Sequence, residues 1–368
     1  MTEIKEVEVF IAEITYEEPF RISLGTTERN EEVIVRLVDS EGFEGWGEGS
    51  PSLHILGETG STMLSVSDVI GPRLIGMDPE MLQASLNEVS MAVKGNSAIK
   101  AAYDIALHDL YGRRIGTSLY KLLGGFREKV ESDYTIGIVK KEVAVRRAVK
   151  LLERGFRRIK LKVGGHEDVE RVREVRKAVG KDVKIFIDAN QAWSPYKAIR
   201  MIKNMEAYEL ELVEQPVKAK DIEGLSFVRR KVDTPIMADE SVHDPVDAIK
   251  VAKAEAADFI NIKLMKCGGI REGIKIAHVS EASGIKNIVG CMLEGGISIT
   301  AAVHFSCSSG NVAFTDLDSD LGLLDNFVIE GGAGLDKGCR IVPRGAGLGD
   351  LKLDYRRLRK VRSYVRNK

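Results

Sequence analysis

The sequence has few cysteines, and they are not placed for a disulfide framework or a zinc site. The 368 residues contain four, without any C-x-x-C pair: Cys267, Cys291, Cys307 and Cys339. This usage indicates reduced thiols. The acidic, strand-like start MTEIKEVEVF lacks the basic start and apolar core of a secretory signal. We therefore expect a cytoplasmic protein.

Long apolar runs and an excess of one charge are also missing. The longest apolar candidate, Ile288 to Cys307, is interrupted by Glu294 and His304, which argues against a membrane span. Lysine and arginine number 54 against 55 aspartate and glutamate, for a net charge of −1. This balance gives no electrostatic reason to bind nucleic acid or an anionic membrane. We expect a small-molecule partner and a homo-oligomeric protein.

The first third of the chain predicts strands and then helices. The expected strands, with the polar stretch ISLGTTERN joining the first two, are Glu6 to Ile14, Glu32 to Val38 and Phe43 to Glu48. The expected helices are about Thr62 to Ile70, Glu80 to Val93 and Ala98 to Gly112. Antiparallel strands followed by helices indicate an α+β capping domain, assigned to residues 1–128.

The pattern changes near Tyr134, where short apolar strands begin to alternate with amphipathic helices. The strands are DYTIGIV, RRIKLKV, VKIFIDA, LELVEQ, TPIMADE, DFINIKL, NIVGCML and VAFTDLD. Eight such repeats predict a (β/α)8-type barrel, assigned to residues 129–324. We expect residues 325–368 to return to the capping domain and complete it. The basic tail DYRRLRKVRSYVRNK, taken alone, has the composition of a solvated helix face or a flexible end.

Three acidic residues follow successive predicted barrel strands: Asp188, Glu214 and Asp239 end strands three, four and five. Groups at these strand ends converge on one mouth of a barrel. Crowded carboxylates repel, and a hard divalent cation relieves the repulsion. A single acid here would more simply cap the following helix. Three in succession predict a metal site for one Mg²⁺ per subunit, with Mn²⁺ as an alternative ion.

Lysines are expected in the same mouth. In the second strand, RIKLK, Lys160 and Lys162 share one face. A closed barrel has no edge strand, so we expect this face to be interior rather than solvated. Strand six contributes Lys263. We prefer it over Lys266, which falls in the following turn and is expected to meet solvent.

These groups suit proton removal next to a carboxylate. Such a proton is weakly acidic, so the resulting negative charge needs a metal for stabilisation. We expect neighbouring cations and desolvation to lower the pKa of a lysine until it can serve as a base. Lysines on opposite sides of one carbon would remove a proton from one face and deliver it to the other, which is the geometry of a racemase or epimerase.

Eight segments, spread over nearly the whole chain, form a specific combination: WGEGSP, LYKLLGG, IKLKVG, FIDANQAW, VEQP, ADES, NIKLMKCGG and CMLEGG. Together they resemble the muconate-lactonizing subgroup of the enolase superfamily, whose bases are lysines or histidines working with Mg²⁺. The metal ligands that the resemblance implies are Asp188, Glu214 and Asp239. It also implies that Lys162 and Lys263 are the acid/base pair and that Lys160 stabilises the enediolate. The strand-seven histidine of mandelate-racemase-like members is absent from NIVGCMLEGG.

The strand-eight segment TDLDSDLGL resembles the D-x-D of dipeptide epimerases within this subgroup. The resemblance implies that Asp316 and Asp318 bind the α-ammonium group of a dipeptide, two anions facing one cation. A polar turn after the strand is the plainer explanation of the same residues. Glu294, at the end of strand seven, is a further candidate for substrate binding.

The chain departs from the epimerases that act on Ala-Glu at one position. Those enzymes hold the glutamate side chain with an arginine in the first capping loop, where this chain has Gly25, with Arg21 and Arg29 nearby. Specificity in the family lies in two loops, here about Glu17 to Asn30 and Gly47 to Gly57. We therefore expect a dipeptide epimerase that inverts the α-carbon of the C-terminal residue and favours an apolar or neutral residue there.

Two other interpretations stay open. An N-acylamino acid racemase, a cycloisomerase or an o-succinylbenzoate synthase of the same superfamily would use the same metal and lysines, but would not need the paired aspartates. A non-catalytic barrel stabilised by a metal belongs to another class. Such a barrel would bury three lysines beside three acids, at a desolvation cost, without chemistry to perform.

Overall fold

The computed structural model describes residues 2–22 and 25–366, without the side chains of 18–22 and 25–26. The N-terminal strands are β1 (Ile4–Ile22), β2 (Gly25–Asp39) and β3 (Glu44–Gly49). They form an antiparallel sheet in which Phe10 pairs with Ile34. The first hairpin is longer than predicted, because the polar stretch that was expected to be a connection continues both strands until Ile22 pairs with Gly25.

Helices cover this sheet. They are α1 (Gly60–Leu74), α2 (Leu82–Ala92), α3 (Ser97–Arg114) and the short α4 (Leu119–Leu122). Helix α3 packs directly on β3 because alternate residues of the strand are glycines. A Cβ atom at Gly47 would overlap the backbone oxygen of Ala102, and one at Gly45 would overlap that of Ala106. The α+β capping domain predicted from the sequence is confirmed.

Eight parallel strands form the barrel in the described part of the chain. They are β5 (Tyr134–Ile136), β6 (Arg158–Lys162), β7 (Lys184–Asp188), β8 (Leu210–Glu214), β9 (Ile236–Ala238), β10 (Phe259–Ile262), β11 (Lys286–Gly290) and β12 (Val312–Asp316), with the short strand β4 (Lys129–Glu131) before them. Each strand pairs with its successor, and a bridge between Ser132 and Thr315 brings β12 beside β5. All eight predicted strands are present, and the predicted barrel is confirmed.

Helices connect the barrel strands. They are α5 (Lys141–Glu153), α6 (Asp168–Val179), α7 (Pro195–Glu206), α8 (Ile222–Arg229), α9 (Pro245–Lys253), α10 (Leu264–Cys267), α11 (Ile270–Ala282) and α12 (Gly296–Ser308). Within the described ranges, no helix is long and apolar enough to cross a membrane.

The capping domain is tied to the barrel through a buried carboxylate. Glu48 of β3 accepts hydrogen bonds from the backbone N–H groups of Ile297 and Ser298 in the first turn of α12, at 3.0 and 2.9 Å. Backbone N–H groups at a helix start are otherwise unpaired, and they favour a negative partner. This contact holds the two glycine-rich segments WGEGSP and CMLEGG together over the barrel mouth.

The C-terminal segment folds back as strands: β13 (Val328–Glu330), β14 (Gly334–Asp336), β15 (Cys339–Ile341), β16 (Lys352–Leu353) and β17 (Arg359–Val365). Strand β17 joins the N-terminal sheet beside β1, with Tyr364 opposite Val7. The expectation of a helical or flexible basic tail is therefore wrong. Val361 and Tyr364 pack on the core, while Arg362 forms an ion pair with Asp68 at 2.8 Å.

Candidate active site

The barrel strands place an acidic layer above an apolar floor. Phe186, Leu212 and Met237 belong to a separate buried cluster inside the barrel. Asp188 and Glu214 follow two residues later on β7 and β8, and Asp239 stands in the same relation to Met237. Because side chains two apart share a face, the same pattern that fills the floor points the three carboxylates into the mouth. The parallel register sets Asp188 beside Glu214.

The three acids meet the geometric requirement of a metal site. One oxygen from each of Asp188, Glu214 and Asp239 lies within 4.8 Å of the others, and all three residues are fully buried. Burial and the neighbouring Asp188 charge raise the pKa of Glu214 to about 8. Oxygen donors crowded in this way suit a hard divalent cation, and the residues present fit Mg²⁺.

The simpler helix-capping hypothesis for these acids is wrong. The residue that caps α8 is Asp221, whose side chain accepts a hydrogen bond from Gly224. Helix α9 is capped in the same way by Asp244. Glu214 and Asp239 therefore do not cap these helices, and together with Asp188 they form the acidic group in the barrel mouth.

Lys160 and Lys162 point into the barrel, as predicted. The Nζ atom of Lys162 lies 2.6 Å from Asp188 Oδ2. The Nζ atom of Lys160 lies 2.7 Å from Glu214 and 3.0 Å from Asp188. The alternative of a solvated face is wrong, because both lysines are buried.

Lys263 approaches the acidic layer from the other side. It follows β10, and its Nζ atom lies 2.9 Å from Asp239 Oδ2. Lys162 pairs instead with Asp188, two strands away in the sheet from Asp239. The two lysines therefore border the metal site on opposite sides.

The expectation that Lys266 meets solvent is wrong. Its side chain is buried, with the residue 3% exposed, and its Nζ atom lies 2.5 Å from Asp239 Oδ1 and 3.2 Å from the backbone oxygen of Asn261. The cause is α10, which begins almost directly after β10 and turns the side chain of Lys266 toward Asp239. Asp239 is thus held by two lysines, with Lys266 in a structural position.

The expected lowering of the lysine pKa is not produced by the protein groups themselves. Burial lowers the pKa of Lys263, but the charges of Asp239, Glu214 and Asp316 together outweigh burial, and the net shift is upward. The pKa of Lys160 is raised in the same way by Asp316 and Glu214. A divalent cation held by the three acids would offset the negative charge that causes this rise.

Asp316 and Asp318 lie beside the metal site and line the same cavity. Asp316 ends β12, while Asp318 lies beyond the strand. Both are held by Thr135: its Oγ1 donates to Asp316 Oδ1 at 3.2 Å and its backbone N–H donates to Asp318 Oδ2 at 2.6 Å. Both side chains line the cavity, whereas the residues of a simple polar turn would face solvent.

A cavity of about 580 Å³ lies between the barrel mouth and the capping domain. Its polar part includes the three lysines, Asp316 and Asp318, and also Arg147, Lys150 and Arg154. Its apolar part is formed by Leu53 and Ile55 of the capping domain and by Ile138, Met292 and Leu293 of the barrel. Hydrogen bonds from Ser50 and Asn30 to the backbone oxygen of Leu293, at 2.8 and 3.2 Å, join the capping domain to the barrel. The cavity is large enough for a small peptide.

Of the remaining predicted residues, Glu294 and Arg29 do not line the cavity. Glu294 lies behind the cavity wall, where it accepts a hydrogen bond from the backbone of Met292 at 2.6 Å. Gly25 begins β2 at the hairpin tip, next to residues 23 and 24, which lie outside the described residues, as does the side chain of Arg21. Arg29 forms an exposed ion pair with Glu13 at 3.3 Å.

Sequence reasoning missed two buried acids of the site. Glu240, directly after Asp239 in ADES, accepts a hydrogen bond from Asn190 at 3.2 Å. Asp133 lies directly before β5, in the seam where β5 meets β12, and its backbone N–H donates to the backbone oxygen of Thr315 at 2.9 Å. Its position before the strand gave no periodic signal, and barrel closure alone brings it beside Asp316.

Family comparisons agree with the fold and the site. Residues 5–124 match the mandelate racemase / muconate lactonizing enzyme N-terminal domain, and residues 143–362 match the enolase C-terminal domain-like family. A barrel with three metal-binding acids and inward lysines under such a cap defines an isomerase of the enolase superfamily. The chain belongs to its mandelate racemase / muconate lactonizing enzyme family.

Individual relatives cover nearly the whole chain. A hydrophobic dipeptide epimerase of Enterococcus faecalis is 43% identical over 94% of this chain and 99% of its own. An L-Ala-D/L-Glu epimerase of Clostridium acetobutylicum is 40% identical over 94% of this chain and 98% of its own. The crystal structure of the Enterococcus faecalis dipeptide epimerase, complexed with Mg and L-Leu-L-Tyr, superposes with a TM-score of 0.91 at 41% identity, covering 94% and 99% of the two chains.

Proposed function

We propose that this protein is a dipeptide epimerase that inverts the α-carbon of the C-terminal residue and favours an apolar or neutral residue there. The observation that carries the proposal is the placement of Lys162 and Lys263 on opposite sides of one metal site. The names of the relatives and the paired aspartates support a dipeptide as substrate.

Asp188, Glu214 and Asp239 would hold Mg²⁺, with Mn²⁺ as an alternative ion. Bound there, the ion would act as a Lewis acid for the substrate carboxylate and make the adjacent proton easier to remove. The ligand set is complete within one chain, which agrees with one ion per subunit.

Lys162 and Lys263 are proposed to exchange the α-proton with the substrate. The lysine on one face takes the proton, and the lysine on the other face returns one, so the configuration inverts. Burial lowers the pKa of Lys160, but the charges of Asp316, Glu214 and Asp188 together raise it, so Lys160 is proposed to stay protonated between the acids. Its role is electrostatic: a fixed positive charge beside the carboxylate end of the substrate.

Asp316 and Asp318 are proposed to bind the free amine of the dipeptide. Asp316 ends β12, the strand beside β5, and Asp318 follows two residues later. A charge-assisted pair of hydrogen bonds fixes the N-terminal residue, and so places the C-terminal α-carbon between the lysines.

The apolar part of the cavity supports the preference for an apolar or neutral C-terminal residue. Leu53, Ile55, Met292 and Leu293 offer apolar contacts, and the ion pair with Glu13 occupies Arg29 away from the cavity. A glutamate side chain in contact with these apolar residues would be desolvated, which is unfavourable.

A panel of dipeptides incubated in D₂O with Mg²⁺ tests the proposal by mass shift. We expect a gain of one deuterium with dipeptides ending in leucine, valine or tyrosine, and slower exchange with L-Ala-L-Glu. Faster exchange with L-Ala-L-Glu would overturn the selectivity. Exchange confined to N-acylated amino acids would favour an N-acylamino acid racemase, and no exchange with any compound would favour a non-catalytic barrel.

A further inference from the structure

A second group of carboxyls lies next to the metal site, with Asp133 and Asp316 buried and Asp318 partly exposed. Asp133, Asp316 and Asp318 each place one oxygen within 4.8 Å of the others. The first of them comes from the seam of the barrel, directly before β5, and the other two come from the end of β12. Three negative charges at this distance would repel strongly in a buried site.

The three carboxyls differ in their partners. Asp316 accepts hydrogen bonds from Lys160 at 2.6 Å and from Thr135 at 3.2 Å, and Asp318 accepts one from Thr135 at 2.6 Å. Asp133 is 0% exposed, and among the described residues neither of its oxygens has a hydrogen-bond donor. A buried carboxylate without donors is costly, whereas a protonated carboxyl beside a carboxylate gains a short, strong hydrogen bond.

The electrostatics identify where the proton resides. Burial raises the pKa of Asp133 well above its usual range, and the charges of Asp316 and Asp318 raise it further. Burial acts on Asp316 too, but the ammonium groups of Lys160 and Lys162 outweigh it and hold the pKa of Asp316 at about 2. The lack of a donor at Asp133 and these pKa directions together favour Asp133 as the neutral member of the pair and Asp316 as the ionised one.

We propose that Asp133 is a positioning residue that, as a neutral acid, donates a hydrogen bond to Asp316 and orients that carboxylate toward the cationic group of the substrate. This inference rests on the proposed function, in which that group is the free amine of a dipeptide. A neutral donor fixes the acceptor without adding a third negative charge, so that Asp316 and Asp318 face one ammonium group.

Two substitutions of Asp133 separate positioning from fold support. In Asp133→Ala the donor is lost, and we expect KM for a free-amine dipeptide to rise about tenfold with little change in kcat. The KM of the desamino analogue, which has hydrogen in place of the amine, should stay the same. Asp133→Asn keeps a neutral donor and should restore most of the affinity lost in Asp133→Ala.

Each other result overturns the proposal. Equal losses for the free-amine and desamino compounds in Asp133→Ala would show a purely structural role. Equal losses in Asp133→Asn and Asp133→Ala would show that Asp133 acts as an ionised carboxylate.

An infrared difference spectrum gives a readout without substrate. The unmodified protein minus Asp133→Asn should show the carbonyl band of a protonated carboxyl at neutral pH, and a carboxylate band in its place would overturn the proposal. This spectrum is independent of turnover. Failure of the unmodified enzyme to epimerise any dipeptide would therefore contradict the proposed function alone.

Discussion

The Nζ atom of Lys160 lies 2.6 Å from Oδ2 of Asp316. The same ammonium group lies 2.7 Å from Glu214, so a single buried lysine joins the proposed amine site to the metal site. Residues that share such a partner are not independent, and substitutions on the two sides of Lys160 should give effects that do not add.

Metal removal should abolish activity. A chelator should stop turnover, and added Mg²⁺ should restore it, because the acids alone raise the pKa of Lys263 rather than lower it. Asp239→Asn should reduce kcat/KM by about a thousandfold or more, since a metal contributes several kcal/mol of charge stabilisation. The exposed Asp182 provides the matched control, Asp182→Asn, which should behave as the unmodified enzyme. Full turnover in metal-free buffer would contradict the metal assignment.

The two proposed bases can be tested one at a time. Lys162→Ala and Lys263→Ala should each lose about a hundredfold or more of the epimerisation rate, because one face of the carbon lacks its proton carrier. Each variant should still exchange the α-proton of one epimer with D₂O through the remaining lysine. The exposed Lys231→Ala is the control. Normal epimerisation by Lys263→Ala would move the second role elsewhere, with Lys266 as the next candidate.

The free amine of the substrate should be recognised strongly. Acetylation removes its charge and leaves Asp316 and Asp318 facing a neutral group. The lost charge-assisted contact is worth about 1.5–3 kcal/mol, or roughly ten- to a hundredfold in kcat/KM. In the double variant Asp316→Asn, Asp318→Asn, the values of kcat/KM for the free and the acetylated dipeptide should be closer to each other. An N-acetylated dipeptide processed as well as the free one would make an N-acylamino acid racemase the better assignment.

Close packing between β3 and α3 predicts a stability effect far from the chemistry. Gly47→Ala places a methyl group on the backbone of α3 at Ala102 and should lower the free energy of unfolding by about 1–3 kcal/mol or more. At Gly334, in the partly exposed hairpin of β14 and β15, an added Cβ meets only ordinary contacts with Ile341. Denaturant unfolding that shows equal stability for Gly47→Ala and Gly334→Ala would contradict the packing account.

The sequence was sufficient to predict the barrel and to identify which face of its strands points inward. The two-residue period that buries Phe186 and Leu212 also aims Asp188 and Glu214, so local pattern and site coincide there. The two-residue period of the strands does not predict contacts that form where the chain turns back after a strand or where the barrel closes. Lys266 is buried because α10 starts at once after its strand, and Asp133 meets Asp316 only because the barrel closes.

The C-terminal strand shows the same limit. Its composition is basic and polar, which suggested a solvated end, but the free edge of β1 supplies hydrogen-bond partners that no local property of the tail reveals. Acidic residues on neighbouring elements, such as Asp68 for Arg362, then pair with its charges.

The most direct test of the central claim is to locate the exchanged hydrogen. L-Ala-L-Leu, incubated with the enzyme and Mg²⁺ in D₂O, can be followed by proton NMR. We predict loss of the α-proton signal of the C-terminal leucine together with the appearance of the L-Ala-D-Leu epimer, while the α-proton of alanine is retained. Exchange at the alanine α-carbon, or no exchange at either carbon of any free dipeptide, would contradict the account.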